Sequence, residues 1–446
     1  MLPKSDTIAA IATAPGRGGI GVIRISGLKL DALAFDIFGV LPPSRTIHFT
    51  FFKDSLGSII DQGIVLYFKA PHSYTGEDVL ELQGHGGSAV LQMLLQRCLE
   101  SGARLALPGE FTQRAYLNNK IDLAQAESVA DLIDATTTQA ARSAVRSLNG
   151  EFSRVIQHLV SELINLRMLV EAMLDFPEEE LDTPDIKRRD TKLSAIQLEI
   201  DQTLSLAHQG SLLREGAHVV LIGQPNVGKS SLLNCLSGED IALVSEIPGT
   251  TRDVIRQSIQ LQGVPLHIID TAGLRDTADQ VEQMGIARTR TTIEKSDVIL
   301  LMLDSTHGVS EQDKVILQGL PRETPRLYVF NKIDLSHEDA RVERHGDTDH
   351  IYLSAKTGNG VDLLQQTLLE RIGWHHESGV FMARERHIRA LQCAREHLNK
   401  ASTEIYRAEL FAEELRLAQD SLNEITGEFS SDDLLGEIFS RFCIGK

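Results

Sequence analysis

One stretch of the chain has the residue types and spacing of a phosphate-binding loop. Residues 223–230 read GQPNVGKS, with a strand-like apolar run before them at 218–222 and a helix-like run after them at 231–236. Glycines let the backbone bend so that successive N–H groups point at phosphate oxygens, Lys229 adds a positive charge, and Ser230 offers a hydroxyl to Mg²⁺ at a helix start. The sequence therefore predicts a strand–loop–helix unit that binds a triphosphate.

Two further stretches follow in the order that such a domain needs. Residues 249–253 read GTTRD and offer a threonine to Mg²⁺ when a γ-phosphate is present. Residues 270–273 read DTAG and end an apolar run, so Asp270 is expected to face the metal and Gly273 to present its N–H to the γ-phosphate. Both stretches are predicted to be switches that respond to that phosphate.

The base that the site selects is indicated by two later motifs. Residues 331–334 read NKID, and the carboxylate of Asp334 can accept hydrogen bonds from guanine N1–H and the 2-amino group, which adenine cannot match. A site that requires these hydrogen bonds discriminates against the wrong base by a factor of ~10⁴ or more. Residues 354–356 read SAK and fit the loop that lies against the base. The predicted ligand is GTP.

Length, charge and cysteine usage narrow the class of protein. The 446 residues, 42% of them apolar, suffice for about three domains, and the formal charge of −18 argues against a broad electrostatic grip on nucleic acid. No stretch approaches the ~20 apolar residues of a membrane span and the first residues lack a signal-peptide pattern, so we expect a cytoplasmic protein. The four cysteines show no CxxC pair, which predicts reduced thiols rather than a disulfide framework or a zinc site.

Hydrophobic periodicity divides the chain into four segments. Glycines and short apolar runs alternate from the N-terminus, with an amphipathic helix at 88–99, and this favours a compact α/β domain. Apolar residues then recur at helical spacing from 156 to 204 and again from 388 to 425. We therefore predict α/β plus α architecture, with an N-terminal domain at 1–118, a helical domain at 119–212 and 374–446, and a GTPase domain at 213–373.

Helical segments on both sides of the GTPase segment suggest that it is inserted into one helical domain, which would place its two ends close together. The alternative is three separate domains joined in series. Insertion is the favoured hypothesis, and a helical domain arranged in this way could relay or receive motion.

Several strings outside the nucleotide motifs are family-specific. They are GRGGIGVIRISG at 16–27, GEDVLE at 76–81, PGEFTQRA at 108–115 and the terminal FCIGK at 442–446. Together with the inserted P-loop segment they closely resemble the MnmE/TrmE tRNA modification GTPases, from the first strand to the last residue. This resemblance implies a Ras-like P-loop GTPase domain, a helical domain and an N-terminal domain that binds folate.

The resemblance also implies a function. Such proteins act with a large FAD-dependent partner, known as MnmG or GidA, in a heterotetramer, and add an aminomethyl or carboxymethylaminomethyl group at C5 of the wobble uridine of certain tRNAs. A tetrahydrofolate derivative, 5-formyl- or 5,10-methylene-tetrahydrofolate, supplies the carbon. The N-terminal domain forms a homodimer, and the family's folate positions match Arg24, Glu81, Lys120 and Lys446. An arginine or lysine can pair with the glutamate tail of folate, and a carboxylate can accept from pterin N–H groups.

In the resembled family a K⁺ ion takes the place of an arginine finger, and dimerisation of the GTPase domains orders its site. Leu274 follows DTAG where small signalling GTPases carry a water-orienting glutamine, and an apolar side chain cannot do that work. The implied catalytic residues are Asn226, Asp270 and Glu282, with Glu282 matching the position that orients water, although an exposed switch carboxylate is the alternative. The implied metal ligands are Ser230 and Thr251 for Mg²⁺, and Asn226, Ser245, Ile247 and Thr250 for K⁺.

The full nucleotide-binding set follows the same motifs. It comprises Asn226, Val227, Gly228, Lys229, Ser230, Ser231, Ser245, Glu246, Ile247, Pro248, Gly249, Thr250, Thr251, Asp270, Thr271, Ala272, Gly273, Asn331, Lys332, Asp334, Ser354, Ala355 and Lys356. Pro248 stands where the family often has alanine, and we expect it to stiffen the switch loop while leaving the carbonyls that bind the ion.

Three questions stay open at this point. Cys443, close to the C-terminus, is either a reactive thiol beside the folate site or an inert buried one. A ribosome-assembly GTPase is a rival function, but it predicts a basic RNA-binding appendage, which the charge of −18 does not favour. A stand-alone folate aminomethyltransferase is a second rival, and it leaves the GTPase segment unexplained.

Overall fold

The structure is a computed structural model and describes residues 6–175, 183–237, 256–270, 296–318, 320–321, 324–346, 348–375, 379–427, 438–439, 442 and 445. The chain divides into two compact units. The first comprises Met1–Ala130, Leu148–Asp182 and Lys400–Lys446, and the second comprises Asp131–Ser147 and Thr183–Asn399.

Strands and helices are interspersed over residues 8–117 and 217–371, and the remaining described elements are helices. The strands are β1 Ile8–Ile11, β2 Gly18–Gly27, β3 His48–Lys53, β4 Ile59–Phe68, β5 Asp78–Gly86, β6 Arg104–Leu105, β7 Ala217–Gly223, β8 Arg256–Leu261, β9 Val264–Asp270, β10 Val298–Asp304, β11 Arg326–Asn331, β12 Arg341–His345 and β13 Thr348–Tyr352. The helices are α1 Asp31–Phe38, α2 Ser88–Glu100, α3 Glu110–Leu117, α4 Leu123–Asp134, α5 Thr138–Leu148, α6 Glu151–Asp175, α7 Thr183–Glu215, α8 Lys229–Ser237, α9 Glu311–Gln318, α10 Ile333–Ser336, α11 Val361–Arg371, α12 Glu385–Thr403 and α13 Ala408–Thr426.

The first unit contains a six-stranded sheet in the order β3-β4-β5-β2-β1-β6. Its neighbours are antiparallel except for the parallel β1–β6 pair. Ile23 and Ile25 of β2 alternate with more exposed residues and join a core with Leu91, Leu94 and Cys98 of α2. The alternating residues of β2 therefore form a half-buried strand, and the predicted helix at 88–99 packs on it, as expected for an α/β domain.

The long helix α6 and the C-terminal helix α13 pack together in the first unit. Each buries an apolar stripe, which includes Ile156 and Leu163 on α6 and Leu415 and Leu422 on α13. Arg167 donates a hydrogen bond of 2.7 Å to the amide oxygen of Gln419 across this pair. The helical periodicity of both segments is confirmed, whereas the limits of the predicted domains remain a prediction.

The C-terminal helical stripe is two helices rather than one. α12 ends at Thr403 and α13 begins at Ala408. The hydroxyl of Thr403 donates to the carbonyl of Lys400 at 2.7 Å, and the Glu404 N–H is shared between the carbonyls of Lys400 and Ala401. Shared N–H groups of this kind are common at helix ends, and hydrophobic periodicity alone does not reveal such a break.

The second unit contains a seven-stranded sheet in the order β12-β13-β11-β10-β7-β9-β8. Its five central strands are parallel, and the edge strands β8 and β12 are antiparallel to their neighbours. β7 and β10 are buried at almost every position, so they read as nearly continuous apolar runs. Because parallel strands end at one edge of the sheet, Gly223, Asp270, Asp304 and Asn331 come to the same side, where open α/β sheets bind ligands.

Among the described residues, no helix combines the length and the apolar character that crossing a bilayer requires.

Candidate functional site

The predicted phosphate-binding loop lies between strand β7 and helix α8, as the sequence indicates. Asn226 and Gly228 both have a positive φ, 61° and 107°, so the backbone turns sharply before the helix begins. A Cβ on Gly228 would collide with the Asn331 amide nitrogen, which leaves no room for a side chain. The glycine is therefore required both by its conformation and by the close approach of the Asn331 side chain.

Lys229 is buried in the loop that it closes. Its ammonium donates hydrogen bonds of 2.7 Å to the carbonyl of Gly223 and 3.0 Å to that of Gln224. Ser230 and Ser231 are exposed in the first turn of α8. A lysine charge, a helix N-terminus and two exposed serines therefore follow one another at this end of α8, and these groups are of the kinds that bind phosphate oxygens and Mg²⁺.

Asn331 connects the predicted phosphate-binding loop to the predicted base-binding loop. Its side-chain nitrogen donates to the carbonyl of Val227 at 2.8 Å, and its side-chain oxygen accepts from the N–H of Ala355 at 2.8 Å. Only 3% of Asn331 is exposed to solvent. Because each amide atom is matched to a backbone group, this side chain fixes the spacing between the two loops.

The predicted guanine-binding carboxylate is also oriented. The hydroxyl of Ser354 donates to Oδ1 of Asp334 at 2.7 Å, and the backbone N–H of Thr357 donates to that hydroxyl at 3.3 Å. Ser354 is buried, whereas Lys356 is exposed at the start of the same loop. The arrangement holds Asp334 beside the loop that the sequence assigns to the base.

An ion pair links the motif at 331–334 to the end of strand β10. Lys332, in the left-handed conformation with φ 72°, places its ammonium 2.7 Å from Oδ2 of Asp304. Burial acts to raise the pKa of Asp304, but hydrogen bonds from Lys332 and Thr306 outweigh it and lower that pKa to about 2. Asp304 is therefore ionised at neutral pH. Sequence reasoning missed it, although a carboxylate at the end of a buried strand was a signal.

A cavity of about 400 Å³ lies beside the phosphate-binding loop. Gln224 at its edge donates to Ser310 at 2.6 Å and to Asp313 at 3.0 Å. Ser310 and Asp313 cap helix α9, because each side chain accepts from the other's backbone N–H. Sequence reasoning missed this link, since Gln224 belongs to the phosphate-binding motif and Asp313 to no motif at all.

Several predicted site residues lie outside the described part of the chain. They are Ser245, Glu246, Ile247, Pro248, Gly249, Thr250, Thr251, Thr271, Ala272, Gly273, Glu282 and Lys446, and Cys443 is also outside it. Asp270 ends strand β9, paired with Leu221 near the end of β7, and only its backbone is described.

In the first unit, Arg24 and Glu81 are directly paired across strands β2 and β5. Nε of Arg24 donates to Oε1 of Glu81 at 3.0 Å, and the guanidinium carbon lies 5.5 Å from the ring centre of Tyr74. The exposed Lys120 donates to the carbonyl of Pro71 at 2.9 Å, in the loop that leads to Tyr74. The structure thus joins two of the predicted folate residues directly and places the third against a neighbouring loop.

A buried ion-pair network supports that loop. Arg114 donates to Glu77 at 2.9 Å and to Glu110 at 2.9 Å, and Arg104 donates to Glu110 at 2.6 Å. Glu77 in turn accepts from the hydroxyl of Ser26 at 2.8 Å. Burial acts to raise the pKa of Glu110, but the two arginines and a backbone N–H lower it, so this carboxylate is held ionised.

Residues 7–120 match the model of the GTP-binding protein TrmE N-terminus, and residues 123–443 match that of the MnmE helical domain. A crystal structure of a variant of Era from Aquifex aeolicus, bound to GDP.AlF4-, aligns with 41% of this chain and 66% of its own at 25% identity and a TM-score of 0.28, so the fold assignment depends on the strand order above.

The curated relatives cover the chain from end to end. The protein named tRNA modification GTPase MnmE from Nitrosomonas europaea is 59% identical over 451 residues, with 100% of each chain covered. The protein of the same name from Dechloromonas aromatica is 61% identical over 449 residues, covering 99% of this chain and 100% of its own. The chain belongs to the MnmE family of tRNA modification GTPases.

Proposed function

We propose that this chain binds and hydrolyses GTP and couples that cycle to modification of the wobble uridine of certain tRNAs at C5. The observation that carries the nucleotide part is the Asn331 side chain, which ties the phosphate-binding loop to the base loop through two hydrogen bonds of 2.8 Å. The contact fixes the distance between the phosphate-binding loop and the loop proposed to bind guanine. Such a site is preorganised for a whole nucleotide rather than for phosphate alone.

The residues divide the work of phosphate transfer between them. Lys229 would leave its carbonyl partners and pair with the terminal phosphates, and backbone N–H groups of the loop would bind the remaining oxygens. Mg²⁺ would be held by Ser230 and Thr251 and would neutralise charge on the phosphate oxygens. Asp270, at the end of β9, is placed on the sheet edge where it would face that metal.

For hydrolysis we propose the cation route that the family resemblance implies. Asn226 stands at the exposed tip of the loop, where its amide oxygen is suited to a weakly hydrated monovalent ion. Ser245, Ile247 and Thr250 would complete that K⁺ site, and Glu282 would orient water. Dimerisation of the GTPase segments would order these switch residues and so activate turnover.

The first unit would supply the one-carbon group. Arg24 and Glu81 form a half-buried pair beside Tyr74, and such a pair can exchange its internal contact for the tail carboxylate and the pterin N–H groups of a folate. Lys120 and Lys446 are the remaining proposed contacts. A flavin-dependent partner subunit would complete the reaction on tRNA. The first unit of this chain would also form the homodimer contact.

The experiment that tests the proposal is nucleoside mass spectrometry of tRNA from bacterial cells that lack the gene for this protein. Cells complemented with the wild-type chain should regain the C5-modified wobble uridine, whereas cells carrying Lys229→Ala should not, because the phosphate-binding charge is lost. Lys314→Ala is the matched control, since it removes an exposed lysine that pairs only locally with Glu311 on α9. Unmodified uridine in the wild-type complement, or full modification with Lys229→Ala, would contradict the proposal.

A further inference from the structure

The polar edge of the second sheet carries a cluster of metal-ligating side chains that the nucleotide site does not use. Glu343 and His345 lie on strand β12, and His350 lies on β13 directly opposite Glu343. Residues two apart on a strand share a face, so all three side chains point to the same side of the hairpin. One potential ligand atom of each lies within 4.8 Å of those of the other two.

The spacing of these atoms is close to what one metal ion requires. Nε2 of His345 lies 3.5 Å from Oε2 of Glu343, and the rings of His345 and His350 are 4.4 Å apart between centres. Two ligands bound to a tetrahedral zinc ion at about 2.0–2.1 Å lie about 3.3–3.4 Å from each other. Small side-chain rotations would therefore bring the three atoms into one coordination sphere, without a change of backbone register.

The groups around the cluster fix two of its members. Arg341 donates to Oε1 of Glu343 at 2.7 Å and to Glu338 at 2.9 Å, and its guanidinium carbon lies 3.6 Å from the ring centre of Tyr352. The other carboxylate oxygen of Glu343, Oε2, faces His345. The ring of His350 lies 4.9 Å from that of Tyr328, so packing restricts its orientation. Partners that orient ligands in this way are typical of metal sites.

The donor set selects the class of ion. Two imidazole nitrogens and one carboxylate oxygen suit Zn²⁺ and similar divalent transition metals, whereas Mg²⁺ and Ca²⁺ require mostly oxygen ligands. We propose that Glu343, His345 and His350 bind one zinc-class divalent ion, with water in the open coordination positions.

The position of the cluster gives the ion a structural consequence. β12 is the edge strand of the sheet, and β13 runs on through Leu353 to Ser354, which orients Asp334. An ion shared by the two strands would fasten the edge of the sheet to the strand that leads into the base loop. Zinc binding should therefore raise the unfolding temperature of the chain, since an ion that binds only the folded form stabilises it.

The test uses the full-length chain saturated with Mg²⁺ and GDP, so that the nucleotide's own metal position is filled. Equilibrium dialysis against Zn²⁺ with elemental analysis should show one ion bound per chain. Both His345→Asn and His350→Gln should weaken the affinity for that ion at least ~10-fold. His345 is more than half exposed, so its substitution cannot act by unfolding the core. His208→Asn, an exposed histidine on α7, is the matched control and should bind zinc as the wild type does.

Two results would overturn the proposal. One is zinc stoichiometry and affinity that are the same in the wild type, His345→Asn and His350→Gln, which would assign any bound ion to other groups such as the thiols of Cys235 and Cys393. The other is a thermal unfolding midpoint that zinc shifts equally in the wild type and in His345→Asn.

Discussion

The side-chain nitrogen of Asn331 donates a hydrogen bond of 2.8 Å to the main-chain carbonyl of Val227. The two residues are 104 positions apart in sequence, and each belongs to a different nucleotide motif. The contact sets the distance between the residues that would hold the phosphates and those that would hold the base, and it explains why no side chain fits at Gly228.

Removing this contact should weaken nucleotide binding. Asn331→Ala leaves the Val227 carbonyl and the Ala355 N–H without their partner in a buried place, at a cost of about 1–3 kcal/mol for each group. We expect at least ~10-fold weaker binding of a fluorescent GDP analogue, measured by titration. Asn359→Ala, an exposed residue of the neighbouring loop, should bind normally. Equal affinity in the two variants would contradict the bridging role of Asn331.

The Asp304–Lys332 ion pair should contribute stability with a defined pH dependence. The pKa of Asp304 is lowered to about 2, so its contribution is fully present above its ordinary value of 3.8 and is lost as the pH falls through the folded value. Asp304→Asn should therefore lower stability by about 1 kcal/mol at neutral pH, since both groups are partly exposed. The gap in thermal midpoint between variant and wild type should close in acid, and a gap that widens there would be inconsistent with this pair.

The Arg24–Glu81 pair should be needed for folate and not for GTP. Arg24→Gln and Glu81→Gln each remove a charge from the proposed contact, so calorimetric titration with 5-formyl-tetrahydrofolate should show at least ~10-fold weaker binding while GTP turnover is kept. Lys29→Gln, an exposed lysine after the same strand, serves as the control. Unchanged folate affinity in both variants would remove these residues from the proposed site.

Potassium should accelerate GTP hydrolysis through Asn226. We expect wild-type turnover to be at least ~10-fold faster in KCl than in NaCl. The reason is that K⁺ is proposed to act in place of an arginine finger, which raises the hydrolysis rate by ~10³–10⁵. Asn226→Ala should show the same slow rate in both salts, whereas Asn234→Ala, on the exposed side of α8, should behave as the wild type. A wild-type rate that is indifferent to the salt would rule out the cation route.

Local motifs and hydrophobic periodicity predicted the strands that lead into the nucleotide motifs and the loop between β7 and α8, whereas the predicted switch stretches at 249–253 and 271–273 lie outside the described residues. β7, β9 and β11 are continuous apolar runs that end in motif residues, so their position and type could be read directly. The edge strand β12, which reads RVERH, is polar and has almost no apolar alternation, and it pairs with β13 only through the tertiary fold.

Contacts between distant residues could not be predicted in the same way. The links from Asn331 to Val227, from Lys332 to Asp304 and from Gln224 to Asp313 join residues that are 104, 28 and 89 positions apart. They depend on which parallel strands become neighbours in the sheet, and spacing along the chain does not contain that order. The pairing of Glu343 with His350 depends in the same way on the register of one hairpin.

The most direct test of the nucleotide site replaces the carboxylate of Asp334, which is proposed to bind guanine. Guanine offers two N–H donors to Asp334, whereas xanthine replaces the 2-amino group with a carbonyl, which an amide can match by donating. The wild-type chain, in Mg²⁺ and KCl, should bind and hydrolyse GTP and bind xanthosine triphosphate at least ~100-fold more weakly. Asp334→Asn should reverse that preference. Wild-type protein that neither binds GTP nor hydrolyses it, or an Asp334→Asn variant that keeps the preference for GTP, would contradict the central claim.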